Sequence, residues 1–446
     1  MIKASLINWP TKNPLESISH AAKVCYQDTA PEWGKTIDIE NNLWGTGHHT
    51  TFQHFYCTFL IEDIAIGDVT FGLHLASPFY NTSQRSGRFC GKMFNNPDFD
   101  MIEGYIKHYW PEVKNRELVL NYIQKAITVY QSNINRAVKE VERLIKEERP
   151  NASASYIEKN APKIAQEQLR MFIPVVFPTA LEYTVNISAL AGMYRSAWSP
   201  GMIDVTQKMV DIVLEKWPEL EFAFQRREHA ELISAVGWCD GFSGIAKKPK
   251  TKLINKEGVE DFILPKSEEM HPVDLAHFSP HLMDNNVLDI ETEIEISIAT
   301  MGQDQRHRTV RRSRPSFNGK FYFPPVLDGL GLESEAEDVF NSWLSLRDEL
   351  PESLMLVLAP YGAMVKYHKK GSYNAVVHEL SKRLCWCAQE EIYEVARSLQ
   401  EQLQDHPLAR AMAPNCVLTG KCGEGGRYCG RDMKAVEKNP FPERKI

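Results

Sequence analysis

The order of predicted elements repeats along the chain, and this repetition is the strongest constraint on the fold. In the N-terminal half, the aromatic and β-branched run HFYCTFLI at residues 54–61 predicts a strand. In the C-terminal half, apolar or β-branched residues alternate with Glu or Ser from Ile290 to Ile298, which predicts a half-buried strand. Helical spacing is found at 116–149, 155–170, 186–196, 202–215, 334–350 and 372–403. The repeated order of strand, polar turn and long helices indicates an internal duplication.

The duplication divides the chain into four segments. Residues 244–258 are rich in lysine and poor in large apolar side chains, which predicts a linker. Ser334 and Glu337 have the spacing of a capping box and predict the start of a helix that runs to about Leu350. We expect an N-terminal repeat at 1–243, a linker at 244–270, a C-terminal repeat at 271–410, and a cysteine-containing loop with a polar tail at 411–446.

The composition excludes several classes of protein. The formal net charge is -7, whereas a general nucleic-acid-binding domain is expected to be basic. No run of apolar residues approaches the roughly 18 that a membrane span requires, and the N-terminus lacks the hydrophobic block of a signal peptide. Nine cysteines, an odd number, favour a reducing compartment. We therefore expect a cytoplasmic protein with no membrane partner.

A basic run follows the second predicted strand. Five arginines and one histidine fall between Arg306 and Arg314. The run could form a solvated charged face, a nucleic-acid patch or an anion site. Guanidinium groups chelate phosphate with two parallel hydrogen bonds, a geometry that lysine does not reproduce, so the run favours an anion site.

The spacing around this run resembles a known signature. Arg306, His307 and Arg308 are followed by seven residues and then Ser316, the pattern of the flavin-dependent thymidylate synthases, the ThyX family. Four other segments resemble the same family: GHHTTFQHFYCTFLI, SQRSGRF, LRMFIPVVFPTALEYTVN and RLCWCAQEEI. The resemblance covers most of residues 1–225 and 285–403 and implies an α+β fold with two repeats, each a small antiparallel sheet flanked by long helices.

The resemblance also implies roles for individual residues. Positions that contact the flavin in the family are His48, Thr50, Asn186, Arg306, His307, Arg308, Asn374 and His378, where Asn374 replaces an arginine. Positions that contact the nucleotide are Gln84, Ser86, Gly87, Arg88, Arg170, Gln303, Arg306 and Arg383. Arg383 and Ser316 take the catalytic positions, and Arg383 is the residue that ionises the uracil ring.

Each half departs from the family pattern. The N-terminal half has Ala76, Ser77 and Pro78 in place of Arg-His-Arg, and Ser188 and Ala197 in place of two further arginines. The C-terminal half has Asn318 and Leu356 in place of the nucleotide and phosphate arginines. Because neither half carries a complete site, we predict one site shared between the halves, and a homodimer that forms a pseudo-tetramer of repeats. Decay of both halves is the alternative.

The implied reaction is the reductive methylation of dUMP to dTMP. Methylenetetrahydrofolate would supply the carbon, FAD the hydride and NADPH the electrons that reduce the flavin. A cationic arginine stabilises the negative charge that builds on the uracil ring, as an oxyanion hole does. The missing arginines leave two alternatives open: transfer of a methyl or hydroxymethyl group to a related pyrimidine nucleotide, and a non-catalytic paralogue that binds nucleotide.

Three cysteines stand close together near the C-terminus. Cys416, Cys422 and Cys429 lie in a glycine-rich segment and could bind zinc or an iron–sulfur cluster, with Cys385 or Cys387 as the fourth ligand. Their spacing matches no short signature such as CxxC. The sequence therefore predicts no metal, and a metal centre stays the alternative.

Overall fold

The computed structural model describes residues 1–75, 79–88, 90–225, 236–256, 263–264, 272–276, 279–425 and 428–446. The strands are β1 (Lys3–Asn8), β2 (Tyr56–Ala65), β3 (Tyr80–Gln84), β4 (Pro178–Asn186), β5 (Gly244–Ala246), β6 (Lys250–Lys256), β7 (Asp289–Ser297), β8 (Arg311–Arg312), β9 (Ser316–Tyr322) and β10 (Ala363–Ser372). The helices are α1 (Pro14–Val24), α2 (Ile66–Asp68), α3 (Lys92–Asn95), α4 (Phe99–Tyr109), α5 (Arg116–Glu148), α6 (Ala154–Leu169), α7 (Ile187–Ser196), α8 (Pro200–Lys216), α9 (Pro272–Ala276), α10 (Ile298–Asp304), α11 (Pro325–Leu330), α12 (Glu333–Leu344), α13 (Glu352–Val357), α14 (Tyr373–Arg383), α15 (Glu390–Gln402), α16 (Pro407–Ala411), α17 (Asn415–Thr419) and α18 (Met433–Lys438).

The described strands form two sheets with a common strand order. The first sheet has the order β1-β2-β4-β3, and each neighbouring pair is antiparallel. In the second sheet, β6-β7-β10-β9 follow one another in the same way, again with antiparallel pairs. β5 adds to β9 in parallel, and β8 pairs with β10. The predicted mixture of helices and antiparallel sheets is confirmed, whereas the origin of both halves from one repeat stays a prediction.

The segment predicted as a linker contains two of these strands. β5 and β6 lie at opposite edges of the second sheet. Along β6, half-buried Thr251 and Leu253 alternate with exposed Lys250 and Lys252. Lysines are common on edge strands, where they block pairing with another chain, so a lysine-rich composition does not by itself indicate a linker. Residues 257–262 and 265–270 of the predicted linker lie outside the described residues.

The four helices predicted in the N-terminal half, α5 to α8, lie within two residues of their predicted spans, whereas α1 to α4 were not predicted. The predicted helices of the C-terminal half differ from the structure. The stripe at 116–149 is α5, whose apolar side chains are buried. Leu332, not Ser334, precedes the first turn of α12, and the helix ends at Leu344, so the predicted capping box and the predicted end are wrong. Among the described residues, no helix combines the length and the apolar character that crossing a membrane requires.

The single helix predicted at 372–403 is two helices, α14 and α15, with a break at 384–389. Arg444, from the C-terminal tail, donates to the backbone carbonyls of Trp386 at 2.9 Å and Ala388 at 2.7 Å. These carbonyls therefore have partners outside the helix. The apolar periodicity continues across the break, which is why the pattern alone predicts one helix.

The two halves pack against each other through one hydrophobic core. Where they meet, Pro174 and Pro360 form an isolated antiparallel bridge, and Tyr361 N donates to Ile173 O at 2.8 Å. These hydrogen bonds join the segment before β4 to the segment before β10. The ends of β2 and β7 lie beside this junction, and a cleft opens between them.

Candidate functional site

The cleft at the junction has a volume of about 480 Å³ and is lined by both halves. Seven of the residues predicted to bind nucleotide line it: Gln84, Ser86, Gly87, Arg88, Arg170, Gln303 and Arg306. The first five belong to the N-terminal half and the other two to the C-terminal half. The tertiary structure therefore brings together residues that are more than 200 positions apart in the sequence.

The N-terminal wall of the cleft is the turn after β3. Gln166 Nε2 donates to Gly87 O at 2.7 Å and holds the turn. A Cβ at Gly87 would lie 2.9 Å from Arg170 Nη1, so the absence of a side chain lets the guanidinium approach the backbone closely. Arg88 Nε pairs with Glu167, whose side chain is buried.

Gln389 connects the two walls. Its Oε1 accepts hydrogen bonds from Arg170 Nη2 at 3.3 Å and from Gln303 Nε2 at 2.5 Å. Arg170 is buried over the ring of Tyr361, at 4.9 Å from its centroid. Arg383 of α14 lines a separate pocket and not the cleft, although its Nη2 donates to Gln303 O at 2.6 Å. The buried Nε atoms of Arg170 and Arg383 have no hydrogen-bond partner among the described residues.

The cleft carries an excess of positive charge. Burial and then the charge of Arg170 lower the pKa of Arg88 to about 9. Partial desolvation within the cleft lowers the pKa of Arg306, although its side chain is exposed at the mouth, and the charges of Arg308 and Arg170 act in the same direction. Burial also lowers the pKa of Arg383. An anion bound here would offset both the repulsion between these cations and the cost of their unpaired donors.

The basic run divides among several environments. Arg306 is exposed and lines the cleft. Arg308 lies over the ring of Tyr80, at 4.7 Å, in a second cavity of about 640 Å³. Arg312 pairs with buried Asp304 and takes a structural role. The run therefore does not act as one unit, because neighbouring arginines point to different surroundings.

The residues predicted to contact flavin fall into two groups. His307 is buried next to His378, with ring centroids 5.6 Å apart, and within the part of the chain that the structure describes neither of its ring nitrogens has a hydrogen-bond partner. Burial and then Arg383 hold its pKa well below the usual range, so the ring is neutral at pH 7. His48 and Thr50 instead lie exposed in the turn before β2.

Three other predicted residues do not line the cleft. Asn186 caps α7, where its Oδ1 accepts a backbone N–H at 2.8 Å. Asn374 is buried and donates to a backbone carbonyl at 2.9 Å. Ser316 begins β9 and does not line the cleft. Their roles stay predictions. Residues 76–78, aligned with the missing Arg-His-Arg, lie outside the described residues.

The model of one protein family matches the chain. It is described as Thy1, thymidylate synthase complementing protein, and matches residues 5–219. This segment includes the N-terminal wall of the cleft, and the resemblance to the family in that half is thereby confirmed.

Solved structures similar to the chain include thymidylate synthase X (ThyX) from Helicobacter pylori with FAD and dUMP. It has 16% identity and a TM-score of 0.35, over 50% of this chain and 98% of that one. The UMP/dUMP methylase PolB from Streptomyces cacaoi, bound with 5-Br UMP, has 15% identity and a TM-score of 0.32, over 50% of this chain and 93% of that one. No curated protein matches.

Two residues of the C-terminal half were missed by sequence reasoning. Gln389 lies in the segment RLCWCAQEEI, in which the family resemblance implies a role for the arginine alone. Glu391, two positions later, is buried and accepts hydrogen bonds from Ser297 N at 2.6 Å and from Thr300 Oγ1 at 2.5 Å. Burial raises the pKa of Glu391 to about 7. This carboxyl group fastens α15 to the start of α10, the helix that carries Gln303.

Proposed function

We propose that the cleft binds a pyrimidine nucleotide monophosphate and that the protein methylates dUMP to dTMP with FAD and methylenetetrahydrofolate. The observation that carries the proposal is the convergence of Arg88 and Arg170 from one half with Gln303 and Arg306 from the other in one cleft. Guanidinium groups favour a phosphate dianion. Glutamines suit the donor and acceptor edges of ribose and uracil.

The residues present fit FAD. His307 offers a buried, neutral aromatic ring with two unpartnered nitrogens, and Arg308 lies in the neighbouring cavity of about 640 Å³. A flat heteroaromatic ring could pack on the imidazole, and a diphosphate could pair with the guanidinium. His307, His378 and Arg308 would hold the flavin, which supplies the hydride when bound. NADPH is the proposed reductant.

Arg383 is the residue proposed to activate uracil. A guanidinium stays cationic at neutral pH, so it can stabilise negative charge on the ring without transferring a proton. Burial from water strengthens that stabilisation. The hydrogen bond from Arg383 to Gln303 O orients the side chain toward the wall of the cleft. The catalytic role proposed for Ser316 rests only on the resemblance to the family.

We further propose that the halves arose by duplication and that each chain has one nucleotide site. The common strand order supports the duplication. Leu356, aligned with the phosphate-binding arginine, is buried in α13, and Asn318 donates to Glu295 at 3.0 Å. A reciprocal site would thus lack two cations. His48, Thr50 and Asn186 would complete a flavin site only in a homodimer, which light scattering can test.

The test is incubation with dUMP, methylenetetrahydrofolate and NADPH, followed by mass spectrometry of the nucleotide. The expected product is dTMP. Arg383→Ala should abolish its formation, because no other group would then stabilise the charged uracil ring, whereas Lys382→Ala, the exposed neighbour on α14, should not. A hydroxymethyl product, or turnover of another pyrimidine nucleotide only, would instead favour the related transferase. Nucleotide binding without FAD would favour a non-catalytic paralogue.

A further inference from the structure

Five of the nine cysteines line one pocket of about 360 Å³ on the far side of the 384–389 segment. They are Cys385, Cys387, Cys416, Cys422 and Cys429. Two of them come from the break between α14 and α15, and three from the C-terminal segment. The proposed methylation uses none of these thiols.

The thiols are close enough to interact electrostatically. All five of these cysteines contribute to the lining of the same pocket. Yet among the described residues no three His, Cys, Asp or Glu side chains are placed to hold one metal ion. Four thiols that surround a pocket without converging on a point suit a cluster of several metal atoms better than a single zinc ion.

The surroundings of the pocket suit an anionic metal cluster. Leu384, Trp386 and Met433 supply an apolar lining. Arg431 is buried over the ring of Trp386, at 4.4 Å, and its charge reaches Cys416, while the charge of Arg149 reaches Cys429. Nearby cations would offset the charge of four thiolates.

We propose that Cys385, Cys416, Cys422 and Cys429 bind a structural iron–sulfur cluster. Cys385 is named as the fourth ligand, and Cys387, which lines the same pocket, is the alternative. The cluster would tie the C-terminal segment to the break between α14 and α15. The same break reaches the nucleotide cleft, since Cys387 O accepts from Arg88 Nη2 at 3.2 Å.

The proposal does not depend on the proposed reaction and is tested by composition. The full-length protein is purified without oxygen, and iron, acid-labile sulfide and zinc are measured per chain. About four iron and four sulfide per chain are expected for a four-cysteine [4Fe–4S] cluster. Iron and sulfide below the background of the preparation, or zinc without sulfide, would overturn the proposal whether or not the protein binds FAD and dUMP.

Variants identify the ligands. Cys416→Ser and Cys429→Ser should each lose most of the iron and sulfide, whereas Cys239→Ser, which changes a buried thiol outside the pocket, should retain both. Retention of iron and sulfide by both ligand variants would refute the assignment. If a ligand variant fails to fold, the wild-type composition and the electron paramagnetic resonance spectrum of the reduced protein still decide, because they need no variant.

Discussion

Alanine substitution of Arg88 and of Arg306 tests whether two halves build one site. The two arginines belong to different halves but line the same cleft. A charge-assisted hydrogen bond contributes about 1.5–3 kcal/mol. Arg306 is exposed and therefore screened, so we expect the lower end and a loss of dUMP affinity of roughly tenfold. The side chain of Arg88 is 21% exposed, so its loss should approach a hundredfold.

Arg88→Ala has a second effect that must be separated from the first. Its partner Glu167 has a side chain that is 5% exposed, and removing the guanidinium would leave a buried carboxylate without its ion pair. That should lower the free energy of unfolding by about 1–3 kcal/mol. The double variant Arg88→Ala/Glu167→Gln should recover stability while dUMP binding stays weak, because the amide needs no counter-ion.

Titration calorimetry with dUMP measures both the affinity and the number of sites. One nucleotide per chain is expected for the wild type, and both single variants should weaken that one event. The double substitution of Arg88 and Arg306 need not be additive, since both residues contact one ligand. Arg314→Ala is the matched control, because this exposed arginine of the same run does not line the cleft. Two equivalent nucleotides per chain, or loss of only half the sites in each variant, would refute the shared site.

Three further predictions concern stability and the flavin. Because the folded-state pKa of Glu391 is raised from 4.5 to about 7, the folded state binds this proton more tightly than the unfolded state. The contribution of this carboxyl group to the free energy of unfolding is therefore fully present below pH 4.5, and about 3 kcal/mol of it is lost as the pH rises to 7. In denaturant titrations at several pH values, the free energy of unfolding of Glu391→Gln should depend less on pH than that of the wild type. The same pH dependence in both proteins would contradict the raised pKa. A Cβ on Gly67 would lie 3.0 Å from Val357 Cα, so Gly67→Ala should destabilise the junction of the halves by about 1–3 kcal/mol in thermal unfolding. An unchanged melting temperature would show that the two backbones can separate at no cost. Arg308→Ala should weaken FAD binding roughly tenfold in a fluorescence titration while dUMP affinity stays unchanged. Weaker dUMP binding with unchanged FAD affinity would instead assign the nucleotide to this cavity and the flavin to the cleft.

Local patterns predicted α5 to α8 of the N-terminal half but not α1 to α4. The period of α5 is expressed in side chains three and four positions apart, and burial of that stripe follows from the period alone. The same reasoning failed where a distant residue intervenes. Arg444 bonds the carbonyls between α14 and α15, and the strand pairing of β6 overrides a composition that reads as a linker.

The sequence by itself determined the chemistry that is available: arginines with the Arg-His-Arg spacing, the Ser-Gly-Arg turn, and a glycine where a guanidinium approaches the backbone. Only the tertiary structure decided which of these groups meet. Arg306 faces the cleft while Arg312, six positions later, pairs with Asp304 in the interior. The meeting of Arg88 with Arg306 in one cleft depends on how the two halves pack through the Pro174–Pro360 bridge, and contacts between residues more than 150 positions apart leave no trace in local spacing.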